Sequence, residues 1–318
     1  MKVLANDGVS QTGIDALEAA GYEVITTKVA QEQLQNFINQ NNINVLLVRS
    51  ATTVRKDLID NCPCLKVIGR GGVGMDNIDV EYARSKGLKV INTPAASSHS
   101  VAELVFSHFF GLARFLHNSN RDMPLEGDSK FKNLKKAYAK GTELRGKTLG
   151  VLGFGRIGQA TAKVALGLGM KVVAYDPFME KADLELEFFD GQKVKFEIET
   201  ISKEDVLKQS DFITLHVPAQ KDYVIDTKDF EQMKDGVIIA NAARGGVVNE
   251  IALVKAIESG KVARAALDVF EKEPQPEIQL LMNPALSLTP HTGAATNEAQ
   301  DRIGTELADQ IIAILGKV

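Results

Sequence analysis

Three side chains in separate polar stretches can act on one substrate atom: Arg244, Glu273 and His291. His291 follows Pro290, Arg244 opens an Arg-Gly-Gly turn, and Glu273 precedes Pro274. An imidazole titrates near neutral pH and can accept a proton from a hydroxyl. A guanidinium is a permanent cation whose planar fork suits a carboxylate or a developing carbonyl oxygen. A glutamate paired with the histidine favours its charged form and fixes its tautomer. Taken singly, a histidine after proline is more often a satisfied structural group, and Arg-Gly-Gly more often a surface turn. The set gains meaning from the stretch that precedes it.

That stretch runs from Thr148 to Asp176. An apolar run, Leu149-Gly150-Val151-Leu152, reads as a buried strand, and Gly153-Phe154-Gly155-Arg156-Ile157-Gly158 reads as a turn into a helix reaching about Gly167. A second strand, Val172 to Tyr175, ends on Asp176. This is the order a dinucleotide-binding βαβ unit needs. Gly153 permits the tight exit, Gly155 lets a pyrophosphate approach the backbone, and Gly158 lets helix and strand pack closely. Free N–H groups near Arg156 and Ile157 face the phosphates at the positive helix end. The Asp176 carboxylate can accept from a ribose diol and would repel a 2′-phosphate, which points to NAD. Hydride transfer from an alcohol carbon needs a nicotinamide, a base and a cation, and the chain offers a candidate for each.

Elements must bring these groups together. Strand signals at Asp211–Val217, Gly236–Asn241, Ala263–Asp268 and Leu286–Leu288 each end in polar or proline residues. Their loops carry Val217, Ala242, Ala243, Arg244, Asp268, His291, Gly293 and Ala294 to one cofactor edge. Residues 1 to about 95 repeat a strand–helix rhythm, with strands at Lys2–Ala5, Glu23–Thr26, Val45–Val48, Val67–Ile68 and Lys89–Asn92. Ligands of open α/β sheets bind beyond the carboxyl ends of strands. Two such ends carry Arg49-Ser50, an anion-binding pair, and Gly69-Arg70-Gly71-Gly72-Val73-Gly74, whose N–H groups can cradle a carboxylate. Ser100 and Glu103 read as a capping box opening an apolar helix from Val101 to His117, buried on several sides, a domain link and part of a subunit interface. Lys130 to Lys147 reads as a basic solvated loop, and Lys135, Lys136 or Lys140 can reach a partner subunit's substrate. A final amphipathic helix spaces Ile303, Leu307, Ile311 and Leu315 four apart.

At 318 residues the chain has room for two cores, and its net charge of −4 provides no global basic field for nucleic acid or an anionic membrane. Neither a signal peptide nor a long apolar run is present, which argues for the cytoplasm. The lone Cys62-Pro63-Cys64 is a poor zinc site and a strained disulfide, so it reads as two inert thiols, and no metal is expected.

Gly153–Gly158 with Asp176, Asn241–Gly246, Ala265–Phe270 with Glu273-Pro274, and Thr289-Pro290-His291 together resemble the D-isomer-specific 2-hydroxyacid dehydrogenases over nearly the whole chain. The resemblance implies two doubly wound α/β domains with parallel sheets: a flavodoxin-like substrate domain (1–97 plus 293–318) and a Rossmann NAD-binding domain (98–292). The C-terminal helix would then return to the first domain, and the domains would close around the substrate. It implies Arg244, Glu273 and His291 as the catalytic set and Asp268 as the carboxamide ligand. Val48–Thr52, Gly141–Leu144 with Gly146–Thr148, and His291–Gln300 resemble the phosphoglycerate dehydrogenase branch. That branch implies a phosphorylated 2-hydroxy acid, its phosphate met by Arg49 and Ser50 and its carboxylate by the backbone of Gly72, Val73 and Gly74. It also implies a place in serine biosynthesis. Relatives often carry a hydroxyl residue where Val73 stands, so only a backbone contact is expected there. With Val318 as its last residue, the chain is expected to lack the serine-sensing domain of longer relatives and to form a homodimer. A glyoxylate or hydroxypyruvate reductase, another D-2-hydroxyacid dehydrogenase, or an NADH-binding regulator without catalysis would share the fold.

Overall fold

The computed structural model describes residues Met1–Val318. In chain order it begins β1 (Lys2–Ala5), α1 (Gln11–Ala19), β2 (Glu23–Ile25), α2 (Gln31–Asn41) and β3 (Val45–Val48). It continues α3 (Lys56–Asp60), β4 (Val67–Arg70), α4 (Val80–Ser85), β5 (Lys89–Asn92) and the long α5 (Ser98–Ala113). Next are α6 (Leu116–Glu126), α7 (Phe131–Ala137), β6 (Thr148–Leu152), α8 (Arg156–Gly167) and β7 (Lys171–Tyr175). There follow β8 (Lys181–Glu187), β9 (Lys193–Glu199), α9 (Lys203–Gln209), β10 (Phe212–Leu215) and α10 (Thr227–Gln232). The chain closes with β11 (Val237–Asn241), α11 (Glu250–Glu258), β12 (Val262–Leu267), α12 (Ile278–Leu281), β13 (Leu286–Leu288) and α13 (Asn297–Leu315).

Two compact units result, Met1–Ser100 with Ala294–Val318, and Val101–Gly293. The first holds a five-stranded parallel sheet in the order β2-β1-β3-β4-β5, the flavodoxin-like arrangement. Its central strands are buried on both faces: all four residues of β3 are buried, as the unbroken Val-Leu-Leu-Val run requires. One face is covered by α13, whose Ile303, Leu307 and Ile311 join Val3, Leu17 and Val45 in a single core. α13 approaches α1 closely because both present glycine: a Cβ on Gly13 would lie 2.7 Å from the Gly304 Cα.

The second unit holds a six-stranded parallel sheet in the order β13-β12-β11-β10-β6-β7. After β6 the chain adds β7 on one side and later β10 on the other, so the direction of winding reverses between β6 and β10. That is the crevice where doubly wound sheets take dinucleotides.

Three stretches differ from the sequence expectation. The apolar helix starts at Ser98 and stops at Ala113, with Phe115 in the left-handed region at φ 55° before α6 begins. Ser100 therefore lies inside α5, and its hydroxyl meets Thr296 Oγ1 at 2.7 Å instead of capping a helix. Val101, Val105, Phe106, Phe109 and Leu112 are buried, while Phe110 and, beyond the helix, Leu116 are exposed. Residues 131–137 of the basic stretch are helical, with only Leu134 buried and the lysines in solvent. The hairpin β8–β9 has no counterpart in the sequence reading. Its antiparallel strands alternate outward ion pairs, Lys181–Glu197 and Lys193–Glu185, with inward Leu184 and Phe196. The period-two pattern was written there, masked by its high charge.

Candidate active site

The glycine turn after β6 is shaped by contacts that exclude other residues. Gly153 has φ 90°, and a Cβ there would meet the His216 carbonyl oxygen at 2.5 Å and Val217 Cγ1 at 2.9 Å. At Gly158 a Cβ would come within 2.2 Å of the Gly153 oxygen, so only glycine lets α8 start against the strand end. Gly155 differs: a Cβ there would meet nothing within 4 Å. The protein does not need that space, whereas a phosphate approaching the backbone would. No side chain caps α8, and the N–H groups of Arg156 and Ile157 have no protein acceptor. Asp176 Oδ2 accepts from the Phe154 N–H at 2.7 Å and Oδ1 from the Phe178 N–H at 2.9 Å. Its carboxylate thus closes the turn, and each oxygen keeps a lone pair beyond those bonds. These features fit a dinucleotide: open N–H groups at a helix start, room at Gly155 and an acceptor at the strand end.

Beneath this turn lies His216. Its Nε2 sits 3.1 Å from both Thr161 Oγ1 and Thr214 Oγ1, tying the first turns of α8 to β10. Its Nδ1 is buried with no hydrogen-bond partner. Part of the residue reaches the surface, yet the sheltered nitrogens push its pKa down from 6.5 to about 3. Unfolding restores the ordinary value, so the unfolded chain binds an extra proton between these limits. Stability from this group is complete above the unfolded pKa and is lost as pH falls toward the folded one. The His216→Gln variant should therefore lose less Tm than the parent chain between about pH 7.5 and about pH 4.5. Parallel losses in a thermal unfolding series would assign the acid sensitivity elsewhere.

The loop after β13 carries His291 in the left-handed region at φ 55°. That conformation is over-determined. The His291 N–H donates to the Asp268 carbonyl at 2.8 Å, and the buried Asp268 carboxylate accepts from the N–H groups of Thr292 (2.7 Å) and Gly293 (2.9 Å) and from the Thr289 hydroxyl (2.6 Å). The His291 Nδ1 lies 2.9 Å from Glu273 Oε2, while Glu273 Oε1 accepts from the Phe270 N–H at 3.0 Å. The glutamate is thus itself positioned, Nδ1 is engaged, and Nε2 is left for another group. An apolar cavity of about 440 Å³, lined by Phe270, Pro274, Pro276, Leu281 and Leu288, flanks the imidazole.

Arg244 stands on the loop after β11. Asn241 staples that loop, its amide donating to the Arg244 carbonyl at 3.0 Å and its oxygen accepting from the Ala243 N–H at 3.1 Å. Gly245 brings the loop against the next one, since a Cβ there would lie 1.8 Å from the Phe270 oxygen. The loops bearing Arg244 and Glu273 therefore touch. Ala242, Ala243, Asp268 and Gly293 follow the same strand ends; Ala294 belongs to the other unit, where its carbonyl accepts from Gln300.

In the first unit, Arg49 and Ser50 follow β3, and the Arg49 side chain lies beside Gly71 (Cγ 3.6 Å from a Cβ placed there). Its guanidinium has no protein partner. Gly72 is less open than the sequence suggests: its N–H donates to Thr93 Oγ1 at 2.8 Å. Only the N–H groups of Val73 and Gly74 in that loop are without an acceptor, so an anion would be held by two residues, not three.

No group of three or more histidine, cysteine or acidic side chains is placed to hold a metal. Cys62 is buried, which pushes its thiol up to about 11, far from a reactive thiolate. No helix is long and apolar enough to cross a membrane.

Residues 106–293 match the family model described as "D-isomer specific 2-hydroxyacid dehydrogenase, NAD binding domain". The chain belongs to the D-isomer specific 2-hydroxyacid dehydrogenases. It is an NAD-dependent oxidoreductase of that family. It is 44% identical over 299 residues to a hydroxypyruvate reductase of Thermotoga maritima, covering 92% of this chain and 91% of that one. It is 41% identical over 317 residues to a D-3-phosphoglycerate dehydrogenase of Methanocaldococcus jannaschii, covering 99% of this chain but 57% of that one. The chain thus spans little more than half of that relative's length. The holo structure of Rhodotorula graminis D-mandelate dehydrogenase superposes with a TM-score of 0.86 at 27% identity, covering 99% of this chain and 94% of that one.

In this 2-hydroxyacid dehydrogenase, residues that no local motif singles out hold the named ones. Asp7 accepts from the Arg49 N–H (2.6 Å), the Thr52 N–H (3.1 Å) and the Thr52 hydroxyl (2.7 Å). Asn77 donates to the carbonyls of Arg49 and Thr52. The Arg70 guanidinium lies against Gly72, Nη1 1.9 Å from where a Cβ would be. The available signal for Asp7 is its place just past β1, at the same sheet edge as the strand-end residues already named.

Proposed function

We propose that the chain oxidises D-3-phosphoglycerate to 3-phosphohydroxypyruvate, with Arg244, Glu273 and His291 as its catalytic residues. NAD, when bound, supplies the acceptor for the hydride. His291 takes the hydroxyl proton at Nε2, because Nδ1 is held by Glu273. Glu273 steadies the resulting imidazolium, and Arg244 stabilises charge on the carbonyl oxygen that forms. Val73 and Gly74 bind the carboxylate through their N–H groups, and Arg49 with Ser50 meets the phosphate. The observation that carries the phosphorylated substrate is the Arg49 guanidinium, without a protein partner beside the glycine loop. An unpaired cation at a strand end is suited to an anion.

The physiological setting follows from this reading: the first step of serine biosynthesis, in the cytoplasm. A homodimer is supported by the exposed Phe110, Leu116, Leu125 and Phe131 on α5, α6 and α7.

A second reading, hydroxypyruvate reductase, is favoured by the 44%-identical relative, which this chain matches over 91% of its length. An NADH assay with 3-phosphoglycerate beside glyoxylate, hydroxypyruvate, glycerate, D-lactate and 2-hydroxyglutarate separates the two. Arg49→Ala should raise KM for the phosphorylated acid roughly 10- to 100-fold, the worth of a charge-assisted contact, and leave the others near their parent values. Equal losses on all acids would favour the reductase. Tight NADH binding with no turnover on any acid would instead indicate a non-catalytic binding protein.

A further inference from the structure

A second histidine, His108, lies at the other end of the hydrogen bonds that shape the His291 loop. It stands on α5, is 6% exposed, and places Nδ1 2.8 Å from Ser287 Oγ and Nε2 3.1 Å from Thr289 Oγ1. Thr289 donates its hydroxyl to Asp268 Oδ1 at 2.6 Å. A hydroxyl has one proton, so toward His108 the Thr289 oxygen can only accept. Nε2 of His108 therefore carries a hydrogen, and in the neutral ring Nδ1 accepts from Ser287. The bonds run in one direction, from Ser287 through His108 and Thr289 to Asp268. Asp268 in turn holds the N–H groups of Thr292 and Gly293, and its carbonyl holds that of His291.

We propose that His108 is a positioning residue for His291, acting through Thr289 and Asp268 to lock residues 289–293 in the conformation that proton transfer requires. The inference rests on the role given to His291 above. Serine, threonine and aspartate at strand ends could hold a loop alone. What His108 adds is a rigid donor that stops the Thr289 hydroxyl from turning away from Asp268. Burial lowers the pKa of His108, which keeps the single-proton form the chain of bonds needs. Side-chain geometry thus reaches from the interior helix to the reacting imidazole without His108 touching substrate.

The test compares three variants. A glutamine amide can overlay Nε2 and donate to Thr289, whereas an asparagine amide matches only the Nδ1 position. His108→Ala and His108→Asn should lower kcat about tenfold with KM for NAD and acid changed less than about twofold, and His108→Gln should restore kcat. In the cofactor-free protein, amide hydrogen exchange at Thr292 and Gly293 should be about tenfold faster in the alanine and asparagine variants, with α8 unchanged. Parent-level kcat in His108→Ala, equal behaviour of Asn and Gln, or faster exchange spread over the whole unit would overturn the proposal. If the alanine variant does not fold, the asparagine–glutamine pair decides alone. Undiminished turnover in His291→Ala would instead remove the proton-transfer reading, and the exchange measurement would still judge the clamp.

Discussion

Replacing His291 by alanine should lower kcat by roughly a thousandfold while NADH binds with unchanged affinity. The size follows from the role proposed for the imidazole. Proton removal from an alcohol with no positioned base leaves water to do the work, and general acid–base catalysis is typically worth two to four orders of magnitude, about 10² to 10⁴. Binding should survive because the features proposed to meet the pyrophosphate and ribose sit elsewhere, at Gly153, Gly155, the α8 N–H groups and Asp176. Glu273→Gln makes the companion variant. It keeps a hydrogen-bonding group near Nδ1 but removes the negative charge that offsets the imidazolium, so a smaller loss of about 10- to 100-fold is expected. Steady-state kinetics with NADH fluorescence titration checks both. Parent-like turnover in His291→Ala would take the residue out of the chemistry.

Arg244→Ala should cost about 10² to 10³ in kcat/KM, comparable to losing one donor of an oxyanion-stabilising set. The arginine is not placed by its own side chain alone. Asn241 shapes the backbone around it, and Gly245 seats that backbone on Phe270, one residue of the loop that also holds Glu273. A lysine at 244 keeps the charge but not the planar fork, so Arg244→Lys should recover less than about a tenth of the lost activity. Full recovery by lysine would mean that only charge matters there and that no two-pronged contact is made.

The largest expected effects lie on residues whose neighbours do most of the positioning. The two loops meet through backbone, at the contact of Gly245 with Phe270. A Gly245→Ala chain would have to separate them, since its Cβ would fall 1.8 Å from a carbonyl oxygen. The side chains proposed as catalytic are therefore sensitive to changes that never touch a substrate, and the inference about His108 is an instance of the same dependence.

Much of this was written in local sequence. Short apolar runs such as Val45–Val48 and Val237–Ala240 marked the central strands of both parallel sheets, because a strand covered on both faces must be apolar throughout. Gly153, Gly155, Gly158 and Asp176 announced the turn proposed to take the nucleotide, since backbone space and a terminal acceptor are requirements of single positions. Arg244, Glu273 and His291 could be named because each lies just beyond a strand. Other features were not local. The hairpin β8–β9 was hidden because its charged outer ladder outweighed its apolar alternation. The end of α5 near Phe115 was hidden because an apolar run carries no sign of where the backbone turns left-handed. Loss of the Gly72 N–H to Thr93 joins residues from two neighbouring strand ends. Asp7 beneath Arg49 and His108 behind Thr289 likewise pair groups far apart in the chain. Amino-acid order specifies which groups are present and which local conformations they allow. Which hydroxyl or amide satisfies which acceptor is decided only when packed elements exclude water and leave each buried polar group the partners within its reach.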